Sequence, residues 1–145
     1  MGSSVEFSIG ESSRLTRTVT AAVVDAFAAV STDDNPLHLD ETYAAGTRFG
    51  QRVAHGMIAA SYISAMMGTQ FPGRGAIYVS QSLNFVRPVF LNDVLDVVAT
   101  VTDVKADKAL VTMSTVVTNQ HGKTVVRGEA VCLVEDVVVL PPVSA

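Results

Sequence analysis

Hydrophobic and polar positions change their period twice along this chain. Val5-Glu6-Phe7-Ser8-Ile9 alternates as a strand with one buried face does, and Leu15-Thr16-Arg17-Thr18-Val19 repeats the alternation more weakly. From Ala21 to Val30 the side chains of Val23, Val24, Phe27 and Val30 recur at helical spacing, with Thr20 suited to cap the start and Ser31-Thr32 to end the run. Asp40 to Ala45 predicts one or two further helical turns, with acidic residues at the start and Gly46 at the stop. No Asp, Glu, Lys or Arg occurs from Val53 to Gly73. The helix predicted there, Gly56 to about Met67 with Gly68 as its terminator, is apolar on nearly every side, as an enclosed helix is.

Beyond the turn-rich Phe71-Pro72-Gly73-Arg74-Gly75 the pattern is that of strands. Ala76 to Val86, Val94 to Val104, Leu110 to Thr118 and Thr124 to Val134 are rich in Val, Leu, Ile and Thr. Pro88 marks an edge or bend, Lys105 to Lys108 a polar turn, and Asn119 to Lys123 a hairpin loop. Helices followed by a meander of strands predict the α+β class, with an antiparallel sheet covered by the one sufficiently apolar helix. A chain of 145 residues forms one domain, residues 1–145, whose core spans about 14–134; the tail, 135–145, is expected to be disordered.

Composition narrows the function. A hydrophobic fraction of 48% with only 17% charged residues is more than so short a chain hides in its interior, so part of it is expected at a subunit interface. The net charge of −4 argues against nucleic-acid binding, which needs a basic patch. An anionic small molecule remains open, with Arg48, Arg52, Arg74, Arg87, Lys105 and Lys108 available, although most such residues are simply solvated. A single cysteine, Cys132, excludes an intrachain disulfide and reads as a small hydrophobe in a strand. Lacking signal-peptide character or a segment long enough to span a bilayer, the chain is expected in the cytoplasm, away from membranes.

The candidate chemistry lies at residues 31 to 68. Asp33 and His38 stand five positions apart with Pro36 between them, which predicts a shaped loop carrying a carboxylate and an imidazole. At free pKa values of about 3.9 and 6.5 the pair is mostly carboxylate and neutral ring near neutral pH. Burial would raise the first value and lower the second. Gly56 opens the apolar helix, where a bare backbone N–H can approach a ligand carbonyl. Asn35-Pro36 reads as turn chemistry that shapes the site. His55 is expected to pack or to hydrogen-bond to backbone, His121 to idle in a loop, and Met57, Met66 and Met67 to fill core or line an apolar tunnel. His38, His55 and His121 show no metal-ligand spacing, so neither metal nor cofactor is expected and activity should be insensitive to chelators.

Three blocks, Asp33-x-Asn35-Pro36-Leu37-His38, Ala54-His55-Gly56-Met57, and Ser80-Gln81-Ser82-Leu83-Asn84-Phe85 running into Arg87-Pro88-Val89, resemble the MaoC-like, R-specific enoyl-CoA hydratases of the hot-dog fold. The resemblance is nearest to the short hydratases that supply polyhydroxyalkanoate synthesis. It implies a sheet wrapped around the central helix, a homodimer, and a lyase that adds water syn to trans-2-enoyl-CoA to give (R)-3-hydroxyacyl-CoA. It further implies Asp33 and His38 as the catalytic pair, Gly56 as donor to the thioester oxygen, and Ser64 as a hydroxyl that steadies Asp33. Three alternatives stay open: a 3-hydroxyacyl dehydratase acting on acyl carrier protein, a thioesterase, and a non-catalytic acyl-binding subunit.

Overall fold

The computed structural model describes residues 4–144. Strands β1 (Val5–Ser8) and β2 (Ser12–Thr18) precede helices α1 (Ala21–Ser31), α2 (Pro36–Leu39), α3 (Glu41–Ala45) and α4 (Gly56–Thr69). Strands β3 (Ile77–Gln81), β4 (Asn84–Phe85), β5 (Val94–Lys105), β6 (Leu110–Thr118), β7 (Thr124–Leu133) and β8 (Val137–Leu140) follow.

The main sheet is antiparallel in the order β2-β5-β6-β7-β3, with β4 also paired to β7. Alternation sets its inner face: Leu95, Val97, Ala99 and Val101 of β5 and Val111, Met113 and Val117 of β6 are fully buried. Onto that face α4 lays Ile58, Ala59, Ile63, Met66 and Met67. Each large side chain so covered contributes roughly 1.5–3 kcal/mol, so sheet and helix stabilise each other. Thr115 is the polar exception in the buried row of β6. Its hydroxyl oxygen accepts from Gln81 Nε2 at 2.9 Å, which satisfies it and ties β3 to β6 across β7.

Three expectations from the sequence are corrected. First, α4 is covered on one side only: Met57, Ser61, Ser64 and Ala65 are exposed. The helix also runs past Gly68 to Thr69, because Phe71 N–H donates to Met66 O (2.8 Å) and Gly73 N–H to Met67 O (3.0 Å), satisfying the last carbonyls from outside. Second, the strand expected over 76–86 is broken between β3 and β4 at Ser82. A Cβ on Gly128 of β7 would lie 1.7 Å from Ser82 O, so the two backbones approach more closely there than a ladder with side chains permits. Third, the tail is ordered through β8, which pairs in parallel with β1 from Val5 opposite Val137 to Ser8 opposite Leu140. Val137 and Phe7 are buried together with Phe71, whose ring meets that of Phe7 edge-on at 5.4 Å. The core therefore extends from Phe7 to Val137.

Candidate active site

Short local hydrogen bonds build the stretch that carries Asp33 and His38. Helix α1 ends where Thr32 adopts a left-handed conformation (φ 64°) and Ser31 Oγ accepts from Asp33 N–H at 3.1 Å. Asp33 Oδ1 accepts from Asn35 N–H (3.2 Å), and Asn35 Oδ1 accepts from Leu37 N–H (3.0 Å), capping α2. Pro36 therefore starts a helix rather than preventing one, since its missing N–H is not needed at a first helical position. His38 consequently sits on a helical turn, not on a loop.

That turn is held by Arg52, which the sequence placed in a surface connection. Its guanidinium donates through Nε to His38 O (2.6 Å) and through Nη2 to Asp25 Oδ1 on α1 (3.1 Å), with only 12% of the side chain exposed. No local pattern joins residues 25, 38 and 52; only the folded chain does.

His38 Nδ1 lies 2.6 Å from Val53 O. A carbonyl only accepts, so Nδ1 carries the hydrogen and Nε2 of the neutral ring presents a lone pair. Nε2 points at Asp33 Oδ2 across 3.9 Å, too far for a direct hydrogen bond. The Asp33 side chain is 52% exposed in the single chain.

Gly56 is the first residue of α4, and its N–H has no backbone acceptor among the described residues. A Cβ at this position would lie 2.9 Å from Cδ1 and Cε1 of Phe85, so only glycine leaves the ring in place. A cavity of about 330 Å³ brings His38 and Gly56 together, walled by Val53, Phe85 and Val89, with Arg48 and Arg87 also lining it. The third sequence block thus supplies the wall opposite the helix start.

Ser64 is not brought to Asp33. It lies eight residues beyond Gly56, about 12 Å along the helix, exposed and without a hydrogen bond to Asp33 among the described residues. Within the chain the Asp33 carboxylate is steadied instead by the N–H of Asn35. His121 lies in the β6–β7 hairpin loop. Met66 and Met67 are core, while Met57 lines a second cavity of about 370 Å³ with Ala60, Tyr78, Val79 and Leu83.

His55 packs and hydrogen-bonds to backbone, as the sequence leads one to expect, but the backbone it meets is that of Asp33. His55 is 3% exposed, its ring stacks on His38 (centroids 3.9 Å apart, planes 28° apart), and its Nε2–H donates to Asp33 O at 2.9 Å. The only signal for it in the sequence is its place directly before Gly56. Asp33, His38 and His55 offer ligand atoms within 4.8 Å of one another, a cluster the sequence spacing did not reveal. Each histidine gives one ring nitrogen to a backbone carbonyl, His38 through Nδ1 and His55 through Nε2, and keeps the other as a lone-pair donor.

Comparison with known proteins identifies the family and the fold. Residues 6–125 match the family described as MaoC like domain. An (R)-specific enoyl-CoA hydratase of Aeromonas caviae is 46% identical over 123 residues, 85% of this chain and 92% of the other. One from Rhodospirillum rubrum is 45% identical over 125 residues, 86% of each chain. A solved (R)-hydratase from A. caviae, described as involved in PHA biosynthesis, superposes with a TM-score of 0.85 at 44% identity, covering 87% of this chain and 96% of that one. R-hydratase PhaJ1 from Pseudomonas aeruginosa gives a TM-score of 0.85 at 43% identity over 94% and 92% of the two chains.

Proposed function

The chain belongs to the MaoC-like domain family, and from that premise we propose that it is an (R)-specific enoyl-CoA hydratase whose chemistry is carried by Asp33, His38 and Gly56. The observation that carries the assignment is the 3.9 Å separation of His38 Nε2 from Asp33 Oδ2, beside a cavity lined by Gly56, whose N–H has no backbone acceptor among the described residues. Two acceptors at that separation each lie within about 2.8 Å of one water placed between them, at an angle of roughly 90°, close to what its two O–H bonds prefer. Such a water is oriented and has a route for its proton.

The water oxygen bonds to the β-carbon of a trans-2-enoyl thioester while the C=C electron pair shifts toward the thioester oxygen. That oxygen accepts from Gly56 N–H, at a helix terminus whose dipole favours the developing charge. One water proton passes to the Asp33–His38 pair and is delivered to the α-carbon from the same face, so addition is syn and yields the (R)-3-hydroxyacyl thioester. Asn35 shapes the stretch; no metal or cofactor takes part.

Loss of enoyl absorbance on mixing with crotonyl-CoA, with analysis of product chirality, tests the reading; no hydration of short or long enoyl-CoA would end it. The same residues run the reverse dehydration. Parallel rates with CoA and acyl-carrier-protein thioesters, together with a four- to twelve-carbon series, decide carrier and chain length. Thiol release from a saturated acyl-CoA would instead mark a thioesterase.

A homodimer is part of this proposal. Strand β3 leaves one edge unpaired and exposes Ile77 and Val79, next to the exposed Met57 of α4. Polyhydroxyalkanoate precursor supply in the cytoplasm is the role we assign, in keeping with the A. caviae relative.

A further inference from the structure

Asp33 and His38 do not touch, yet their separation must hold to a few tenths of an ångström if one water is to serve both. Their own stretch of chain holds the carboxylate through the Asn35 N–H, but that stretch is itself exposed. The Asp33 backbone is tied locally only through Ser31 Oγ to its N–H, and the residue lies on an exposed connection between α1 and α2. What joins it to the protein interior is the bond from His55 Nε2–H to the Asp33 carbonyl. The same imidazole lies flat against His38, and its other neighbour is the Phe27 ring at 4.8 Å. The peptide that follows His55 is the one whose N–H belongs to Gly56. One buried residue therefore meets all three parts of the proposed machinery.

A second observation separates this from ordinary packing. With Nε2–H given to Asp33, His55 Nδ1 is buried with no hydrogen-bond partner among the described residues. A phenylalanine or leucine would fill this space without an orphaned polar atom, so a residue serving only to pack gains nothing from being histidine. The polar function retained here is the donor to Asp33.

We infer that His55 is a positioning residue, which through its Nε2–H and its ring sets the Asp33 carboxylate at water-sharing distance from His38. It touches no reacting atom in this scheme. The inference rests on the hydratase reading above and assigns to that site a residue beyond its catalytic set.

His55→Phe keeps a ring to stack but removes the donor, whereas His55→Gln keeps an N–H donor and removes the ring. With crotonyl-CoA, His55→Phe is expected to lower kcat at least tenfold with KM within about twofold and the thermal midpoint nearly unchanged, and His55→Gln to recover part of that kcat. A double-mutant cycle with Asp33→Asn adds a readout that loss of packing would not move: if His55 acts through Asp33, His55→Phe costs little further once the carboxylate is gone. Full kcat in His55→Phe, or a loss of the same factor with and without Asp33, would overturn the inference. Should Asp33→Asn itself retain full rate, the hydratase reading of the pair fails first, and that result is seen before any His55 variant is made.

Discussion

His38 Nε2 and Asp33 Oδ2 face each other across 3.9 Å with nothing of the protein bridging them, although every other polar atom of the two residues' immediate frame is engaged: His38 Nδ1 with Val53 O, His38 O with Arg52, and Asp33 O with His55. At this distance no direct hydrogen bond joins the two groups, so neither holds the other in place. Asp33→Asn and His38→Gln are therefore expected to leave folding intact, since Asp33 is half exposed, while lowering kcat about 10²- to 10⁴-fold with little change in KM. Steady-state kinetics beside a thermal melt checks both halves.

Gly56→Ala separates donor geometry from stability. The added methyl would meet the Phe85 ring at 2.9 Å, but that ring is 53% exposed and can swing away, so the fold should lose little. Displacing Phe85 reshapes the cavity wall beside the N–H. We expect at least a tenfold loss of kcat/KM and partial recovery in Gly56→Ala/Phe85→Leu, measured with crotonyl-CoA.

Much of this arrangement was legible in the sequence because it is local. The spacing of Asp33, Asn35, Pro36 and His38 and the Gly at a helix start express themselves within a few residues, and the long Val-rich runs pair as their alternation requires. What was not legible depends on contacts between distant segments. Pro36 is the local exception: read as a helix breaker, it in fact opens α2 behind the Asn35 cap, a start signal present in the sequence itself. Val137–Leu140 precedes two prolines and carries no mark that β1 will pair with it in parallel. The bare backbone of Gly128 matters only because Ser82 comes against it from 46 positions away. Arg52 and His55 acquire their roles from carbonyls on other elements, which single-sequence patterns do not encode.

Cys132 and Tyr78 stand opposite each other in the β7–β3 register, and both acidities are weakened there. Burial pushes the thiol up to about 11 and, with the facing thiolate adding to it, the phenol up to about 12. Each group binds its proton more tightly folded than unfolded, so their contribution is fully present below the unfolded values and is lost as pH rises from 9 to about 11 for the thiol and from 10 to about 12 for the phenol. Urea unfolding at pH 8 and pH 10 should show stability falling with pH, and Cys132→Ala should flatten that fall. Native protein at pH 8 should resist iodoacetamide until unfolded.

Strand β3 is the surface on which the quaternary proposal stands or falls. Its outer edge has no strand partner among the described residues, Ile77 is 58% and Val79 56% exposed, and β3 carries no lysine or proline to blunt the edge in the way isolated sheets usually require. Beside it α4 turns outward Met57, Ser61, Ser64 and Ala65, three of them small enough for a second helix to approach. A second copy pairing β3 to β3 would extend the sheet and cover both features at once, as a closed twofold interface must. Light scattering on the eluted protein should give twice the 15.3 kDa chain mass. Val79→Lys places a charge inside that interface and should shift the population toward monomer, whereas Val30→Lys, equally drastic at a residue 84% exposed on α1, should not. A monomeric wild-type protein, or a Val79→Lys variant that stays dimeric, would move the contact to another face.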